Sequence, residues 1–262
     1  MASRSFGLAA GLCLAMLAGC GPAASPPAVA ACELTVGWDP WEPYQYQAAD
    51  GTLRGLDVDV VALLARDAGC TLRFQRGNWL DLLRQLRDGS VHVLLAATAV
   101  PERRDYARFS APYRSESFAL YVRSDDLAVL GPHDLAGLAA TGRRIGYTEG
   151  YYYGAGVERI ASAPATRAQL LPAPVVETNY ARLMDGSIDA LLDDPFVATA
   201  VLRRKGWSGR IARHPQRLEA GEVCLMFSRR AVRQDVVRRF DAALQARQRD
   251  RTLAALLQRY QG

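Results

Sequence analysis

A buried strand pattern that runs directly into a polar segment constrains the fold of this chain more than any other feature. Residues 91–97 are apolar except for one histidine, and Thr98 and Arg103 follow where a helix is expected to begin. Open α/β sheets bind small ligands at such junctions, and the free N–H groups of a helix start favour an anion. Arg103 can grip a carboxylate there with two parallel hydrogen bonds. Taken alone, Arg103 fits a solvated surface charge better, because other charged residues surround it.

Strand and helix patterns alternate along the rest of the chain. Apolar residues recur at helical spacing over residues 58–68 and 79–86, and a strand pattern follows at residues 91–96. A second series begins at residues 144–147 and continues to an apolar strand pattern at residues 190–192. This repetition predicts an α/β fold with mostly parallel sheets and flanking helices.

Four short motifs follow one another between residue 34 and the C-terminus. Residues 34–39 form a strand pattern with aromatic residues after it, and residues 55–60 read Gly-Leu-Asp-Val-Asp-Val. Residues 98–113 contain Thr-x-x-x-x-Arg and Phe-Ser-x-Pro-Tyr, and residues 186–194 contain Gly-x-x-Asp-Ala-x-x-x-Asp. In this order and spacing, the motifs resemble those of family 3 of the bacterial extracellular solute-binding proteins, which are periplasmic receptors for polar amino acids and related compounds.

The resemblance implies a periplasmic-binding-protein fold of type II, in which two lobes are joined by two crossing strands. The crossing strands, which act as hinges in the family, are expected at residues 114–117 and 219–223. The first lobe is then expected to comprise residues 32–113 and 224–262. The second lobe is expected to comprise residues 118–218.

The same resemblance implies a set of charged ligand-binding residues. Arg103 and the Thr98 hydroxyl are expected to bind a ligand carboxylate, and Asp194 and Asp39 to receive a ligand ammonium. Such an arrangement suits a zwitterion, whose binding would neutralise the buried charges and favour closure of the lobes. Two structural alternatives stay open: Asp194 fits a helix N-cap before Pro195, and Asp39 fits a turn.

Aromatic residues are expected to form the walls of the binding cleft. Trp41, Tyr44 and Trp79 can stack on a flat ligand group or attract a cation, although Trp79 also fits a core anchor and Tyr44 simple packing. The turn at residues 150–154 departs from the family, because three consecutive tyrosines replace small or hydroxylated residues. Tyr151 is expected to be a ligand contact. Whether these phenols line, extend or fill the cleft, or pack against the second lobe, stays open.

The N-terminal residues have the pattern of an export signal followed by a tether. Arg4 precedes an apolar stretch, residues 6–18, that is too short to span a bilayer as a helix. The sequence Leu-Ala-Gly-Cys that ends at Cys20 resembles the lipobox of bacterial lipoproteins. This resemblance implies removal of residues 1–19 and acylation of Cys20, and an ordinary secretory peptide is the alternative. Residues 20–31 are uncharged and rich in Pro, Ala and Ser, which suits a flexible tether.

The remaining cysteines are consistent with an oxidising compartment. In the family's sheet, the strands that start just after Cys32 and Cys70 are parallel neighbours. The resemblance therefore implies a Cys32–Cys70 disulfide, with two free buried thiols as the alternative. Cys224 lies in an apolar run and is expected to be an inert core residue.

Charge and motif content argue against several other classes of protein. The chain has 32 Lys and Arg against 27 Asp and Glu, a net charge of +5. Its basic clusters, at residues 203–205 and 229–230, do not interleave with aromatic residues, so no nucleic-acid partner is expected. No Gly-x-Ser-x-Gly elbow, phosphate-binding glycine loop or paired-histidine metal motif is present. We therefore expect no metal, no cofactor and no enzymatic activity.

Together these features predict a periplasmic, lipid-anchored monomer that captures a small zwitterionic solute, a polar amino acid or a relative of one. The solute would be released to the permease of an ABC importer. Two alternatives stay open. The fold also resembles periplasmic cyclohexadienyl dehydratases, for which Glu149 is the candidate general acid, and a ligand sensor could act through a separate partner protein.

Overall fold

The computed structural model describes residues 1–2 and 32–260, without the side chains of residues 219 and 220. The predicted signal sequence, Cys20 and the predicted tether lie outside the described residues. Within the described part, no helix combines the length and hydrophobicity needed to cross a membrane.

Strands and short helices alternate through residues 32–260. The strands are β1 Cys32–Trp38, β2 Tyr46–Gln47, β3 Leu53–Arg54, β4 Cys70–Arg76, β5 Val93–Ala97, β6 Ala107–Phe109, β7 Arg114–Arg123, β8 Ile145–Thr148, β9 Leu170–Ala173, β10 Ala190–Asp193 and β11 Ile211–Ser228. The α-helices are α1 Leu56–Asp67, α2 Trp79–Asp88, α3 Pro101–Arg104, α4 Leu127–Leu130, α5 Leu135–Ala140, α6 Ala155–Ser162, α7 Val176–Met184, α8 Pro195–Lys205, α9 Gln234–Arg249 and α10 Thr252–Arg259.

A mixed sheet organises these elements in the strand order β4-β1-β5-β11-β7-β10-β8-β9, and β6 also pairs with β11. Strands β4, β1 and β5 are parallel to one another, as are β10, β8 and β9. We call these groups the β1 side and the β10 side. Helices α1, α9 and α10 pack together on the β1 side, and α7 packs on β8 and β10. The predicted α/β class, with parallel strands and flanking helices, is confirmed.

Strands β7 and β11 run antiparallel to each other between the two sides of the sheet. Val223 lies opposite Arg114, and Gly221 lies opposite Glu116. The pairing register shifts just before Gly221, where a φ of 113° requires glycine. The two predicted hinge segments are therefore paired with each other, while their action as hinges and the lobe boundaries stay predictions.

Helix α2 shows how the local sequence sets the bounds of an element and fixes one of its aromatic side chains. The Asn78 side chain accepts a backbone N–H of the first turn, and Gly89 ends the helix in the left-handed conformation with φ 91°. Trp79, Leu82 and Leu86 are buried at helical spacing on one face. This packing fixes Trp79 at the start of the helix, next to the end of β5.

A buried ion pair fixes the geometry of the Gly-Leu-Asp motif. Gly55 has φ 132°, and a side chain there would overlap the carbonyl of Tyr44. Two residues later, fully buried Asp57 accepts hydrogen bonds from Nε and Nη2 of Arg114 at 2.9 and 3.0 Å. The Tyr113 hydroxyl donates to the same carboxylate at 2.8 Å. The motif thus joins the start of α1 to the start of β7.

The predicted disulfide is confirmed. Cys32 and Cys70 lie opposite each other at the start of the parallel pair β1 and β4, with Cα atoms 4.5 Å apart, and their sulfurs are bonded. Cys224 is a buried free thiol, and burial raises its pKa to about 11.

Reduction of this disulfide should lower the free energy of unfolding by roughly 3–4 kcal/mol, because the bond closes a loop of about 40 residues. Urea unfolding with and without reductant measures the change. A Cys32→Ser/Cys70→Ser variant is the control, since its stability should not respond to reductant. Rapid labelling of both thiols in oxidised, denatured protein would contradict the prediction.

Candidate functional site

A cavity lies where the ends of β1 and β5 meet the turn that follows β8. The volume in it that is open to water molecules is about 20 Å³, which is room for one of them. Six of the eight predicted binding residues line it: Asp39, Trp41, Trp79, Thr98, Arg103 and Tyr151. The other lining residues are Gln45, Leu95, Ala96, Glu116, Phe118 and Tyr152.

Arg103 is a buried cation at this site, with only 7% of its surface exposed. Its Nη1 donates to the Thr98 carbonyl at 3.0 Å and its Nη2 to the Gly150 carbonyl at 2.7 Å, while the guanidinium lies 5.5 Å from the Trp79 ring centre. Among the side chains that the structure describes, no carboxylate pairs with it. Burial lowers the pKa of Arg103, so the site favours a negatively charged partner.

Thr98 contacts Arg103 through its backbone, because its carbonyl accepts from the guanidinium. The predicted role of the Thr98 hydroxyl, which is to bind a ligand carboxylate, stays a prediction. The residue still lines the cavity. Its hydroxyl stays a candidate donor to a ligand.

Tyr151 fills the space between the two tryptophans. Its ring centre is 5.8 Å from the ring centres of Trp41 and Trp79, and it is nearly perpendicular to both rings. Its hydroxyl donates to Asp39 at 2.7 Å. The preceding carbonyl, that of Gly150, accepts from Trp79 Nε1 at 2.9 Å as well as from Arg103. Tyr151 thus packs between the two tryptophans and lines the cavity, while its predicted contact with a ligand stays a prediction.

Asp39 lies at the hydroxyl end of the Tyr151 side chain. The Gln45 side chain donates to it at 3.0 Å, and burial raises the pKa of Asp39 to about 6. The Gln45 Oε1 and Trp41 Nε1 atoms are buried without a hydrogen-bond partner in the described part of the chain. A buried polar atom without a partner is costly, so both atoms are available to a ligand or to water.

Glu116 is a cavity residue that the sequence analysis missed. It shares one face of β7 with Arg114 and Phe118, as the two-residue period of a strand dictates. The Glu116 side chain is 5% exposed, and its carboxylate lies 3.9 Å from Arg114. Burial raises the pKa of Glu116 to about 8. The alternation Arg-Ser-Glu-Ser-Phe on a predicted crossing strand is the sequence signal that could have drawn attention to it.

Asp194 and Tyr44 do not line the cavity. Asp194 accepts the backbone N–H groups of Phe196 and Val197 at 2.7 and 3.2 Å, which makes it the N-cap of α8. Its other oxygen accepts from the Tyr44 hydroxyl at 3.1 Å. The structural alternative considered for Asp194 is thus the geometry observed, because the helix start offers donors that a carboxylate satisfies.

The remaining residues of the tyrosine turn differ in their surroundings. Tyr152 lines the cavity, whereas Tyr153 is buried with its ring centre 4.4 Å from that of Phe118. The Tyr153 hydroxyl accepts from the Thr148 backbone N–H at 2.9 Å. Glu149, the candidate acid of the dehydratase alternative, is exposed and does not line the cavity. No cluster of metal ligands occurs among residues 1–2 and 32–260.

The two cavity carboxyls predict how stability changes with pH. Burial raises the pKa of Glu116 from 4.5 to about 8 and that of Asp39 from 3.8 to about 6. The folded state therefore binds more protons than the unfolded state between these values, so the free energy of unfolding falls as pH rises through each window. For each carboxyl group, the loss in free energy of unfolding is absent below the group's pKa in the unfolded state. The loss is complete above the group's pKa in the folded state.

Urea unfolding between about pH 4 and pH 9 measures this decline. Glu116→Gln should remove the portion of this decline that extends to about pH 8. Asp39→Asn should remove only the portion of the decline below about pH 6. A Glu116→Gln variant that keeps the wild-type slope above pH 6 would contradict the prediction.

Comparison with known proteins connects this site to a family of binding proteins. The L-cystine-binding protein TcyJ of Escherichia coli (strain K12) is 23% identical over 224 residues, which are 85% of this chain and 79% of the relative. An ancestral arginine-binding protein bound to arginine aligns at a TM-score of 0.72 and 19% identity, over 88% of this chain and 98% of that chain. A histidine kinase sensor domain with similarity to periplasmic binding proteins aligns at a TM-score of 0.74 and 18% identity, over 89% of this chain and 96% of that chain.

These structures show that the fold is that of the periplasmic binding proteins. The model of the bacterial extracellular solute-binding proteins, family 3, matches residues 34–262 of this chain. That range contains every residue of the cavity. The chain therefore belongs to family 3 of the bacterial extracellular solute-binding proteins.

Proposed function

We propose that this protein captures a small zwitterionic solute, a polar amino acid or a close relative, and delivers it to an ABC importer. The observation that carries the proposal is the placement of charges around one cavity. The buried guanidinium of Arg103 lines it together with the carboxyl groups of Glu116 and Asp39. A zwitterion offers each of these groups a partner of opposite charge.

Three polar residues of the cavity receive a role in this proposal. Arg103 binds the ligand carboxylate, with Thr98 beside it, and Glu116 takes over from Asp194 as the partner of the ligand ammonium. Trp41 and Trp79 form the walls around the ligand side chain. The names of the relatives are in keeping with this assignment, since they give L-cystine and arginine as ligands.

We further propose that the lobes predicted from the sequence close on the ligand. Contacts across the proposed cleft support this idea, because α8 on the β10 side reaches the segment after β1. There, Arg204 Nη1 lies 2.7 Å from a carboxylate oxygen of Glu42. The crossing pair of β7 and β11 supplies the two segments that would bend, and Gly221 lies within one of them.

Titration calorimetry with the twenty standard L-amino acids and L-cystine tests the proposal. We expect one-to-one binding of at least one zwitterion and recovery of the compound unchanged. At pH 7 binding should also release protons, because an ammonium beside Glu116 favours its charged form over the protonated form that a pKa of about 8 implies. Heats measured in buffers of different ionisation enthalpy detect this release. Failure of every zwitterion to bind protein stripped of carried ligand would contradict the proposal.

The cellular location is a separate proposal. We propose that residues 1–19 are removed and that Cys20 is acylated, which anchors the protein to a membrane on its periplasmic side. Mass spectrometry of the mature N-terminal peptide should find a lipid-modified cysteine, and Cys20→Ser should release the protein from the membrane fraction. An unmodified Cys20 in the mature protein would favour an ordinary secretory peptide.

One observation favours the dehydratase as a second candidate. A carboxyl group whose pKa is about 8 is largely protonated at neutral pH, so Glu116 could donate a proton to a leaving group in the cavity. Glu116 would then replace Glu149 as the acid. Incubation with prephenate or arogenate, followed by detection of aromatic product, decides between capture and turnover.

A further inference from the structure

The groups proposed to hold a ligand are already bound to one segment of the chain itself, Gly150 and Tyr151, which we call the surrogate segment. Its Gly150 carbonyl accepts from Arg103 at 2.7 Å and from Trp79 at 2.9 Å. Its Tyr151 hydroxyl donates to Asp39 at 2.7 Å. An acceptor oxygen at the arginine and a donor at the carboxylate are the two features that a polar amino acid would present.

The Tyr151 ring also occupies the space of a ligand side chain. It lies between Trp41 and Trp79, with ring centres 5.8 Å from each. In the arrangement observed, the volume open to water molecules beside the ring is about 20 Å³, which is room for one of them. An amino acid therefore does not fit between the two tryptophans while the Tyr151 ring lies there.

The surrogate segment belongs to an irregular turn that glycines bound at both ends. Residues 151–154 are neither helix nor strand, and glycines with φ of 80° and 93° stand at Gly150 and Gly154. The turn approaches α2 closely, because a side chain at position 150 would come within 2.8 Å of Leu80. Glycines at both ends allow the backbone to change direction without moving β8 or α6.

We propose that Gly150 and Tyr151 act as an intramolecular competitor, which holds the β1 side against the β10 side and must leave the cavity before an amino acid enters. This inference rests on the proposed function, since it regulates the same site. It makes the observed affinity of the wild type the product of the intrinsic affinity and the fraction of molecules with Tyr151 displaced. It also keeps the ligand-free protein compact, so that the closure on the ligand proposed above follows only after Tyr151 has left the cavity.

Two variants and a matched control test the competitor. Tyr151→Ala removes the ring and the hydroxyl, and Tyr151→Phe removes only the bond to Asp39. Tyr147→Ala is the control, because Tyr147 lies on β8, contacts Tyr153 and does not line the cavity. Each protein is unfolded, dialysed and refolded to remove carried ligand, and its melting curve is recorded to verify folding.

The first measurement is small-angle scattering without added amino acid. We expect a larger radius of gyration for Tyr151→Ala than for the wild type and Tyr147→Ala. The second is calorimetric titration with each of the twenty L-amino acids. A gain in affinity of roughly tenfold is expected for Tyr151→Ala if the displaced state of the wild type is about 10% populated, with a smaller gain for Tyr151→Phe.

The outcomes separate this inference from the proposed function. Equal radii for Tyr151→Ala and the wild type, with equal or weaker affinity in the variant, would overturn the competitor and make Tyr151 an ordinary wall of the cleft. If no amino acid binds either protein, the proposed function fails, while the radii still decide whether Tyr151 holds the two sides together. Should Tyr151→Ala not fold, the radius and affinity of Tyr151→Phe decide in the same way.

Discussion

Arg103→Ala should weaken amino-acid binding by at least about 30-fold while leaving the protein folded. Removing the guanidinium leaves the ligand carboxylate buried without a partner, a loss of about 2–5 kcal/mol, or roughly 30-fold to several-thousand-fold in affinity. Arg103→Lys should restore little, because an ammonium cannot present two parallel donors. Titration calorimetry with the best amino-acid ligand of the wild type measures both effects.

Arg104→Ala provides the matched control for this experiment. Arg104 follows Arg103 on α3, but its side chain is exposed and does not line the cavity. Its loss should therefore change affinity little. Wild-type affinity in Arg103→Ala, or an equal loss in both variants, would remove Arg103 from the binding site.

Asp57→Ala should destabilise the protein by about 3–5 kcal/mol, because it leaves the buried guanidinium of Arg114 without its carboxylate. The two side chains are 0% and 4% exposed, so water cannot replace the lost partner. Asp59→Ala is the control. Asp59 belongs to the same motif but is only partly buried and accepts one hydrogen bond from Tyr260, so its loss should cost about 1 kcal/mol.

Urea unfolding at constant pH measures these differences. Replacement of both partners, as in Asp57→Leu/Arg114→Met, should cost less than either single loss, since no unpaired charge stays buried. A loss below about 1 kcal/mol in Asp57→Ala would show that the ion pair contributes little to stability.

Features set by local pattern were predictable from the sequence, and features set by long-range packing were not. The apolar run before Thr98 predicted both β5 and the position of Arg103 at its end. The Cys32–Cys70 pairing followed from the resemblance, because parallel neighbours bring the starts of their strands together. Asp194 was harder, because an aspartate before a helix serves as a cap or as a ligand contact with the same sequence pattern.

Two residues of the cavity show where sequence reasoning stopped. Glu116 lies on a crossing strand, and its burial depends on which face of β7 meets the cleft, which the pattern alone did not settle. Tyr151 is placed by the approach of the β10 side to Trp41 and Trp79, residues more than 70 positions away in the chain. Such contacts depend on tertiary distances that no local periodicity encodes.

The position of the disulfide also has a mechanical consequence. Cys32 is the first residue of β1, so any pull on the preceding chain enters the described fold at that residue. The covalent bond to Cys70 passes the load to β4 as well, before the hydrogen bonds further along β1 are strained. In a protein held by its N-terminal end, the bond would therefore divide the load between β1 and β4 before it reaches the cavity at the far end of β1.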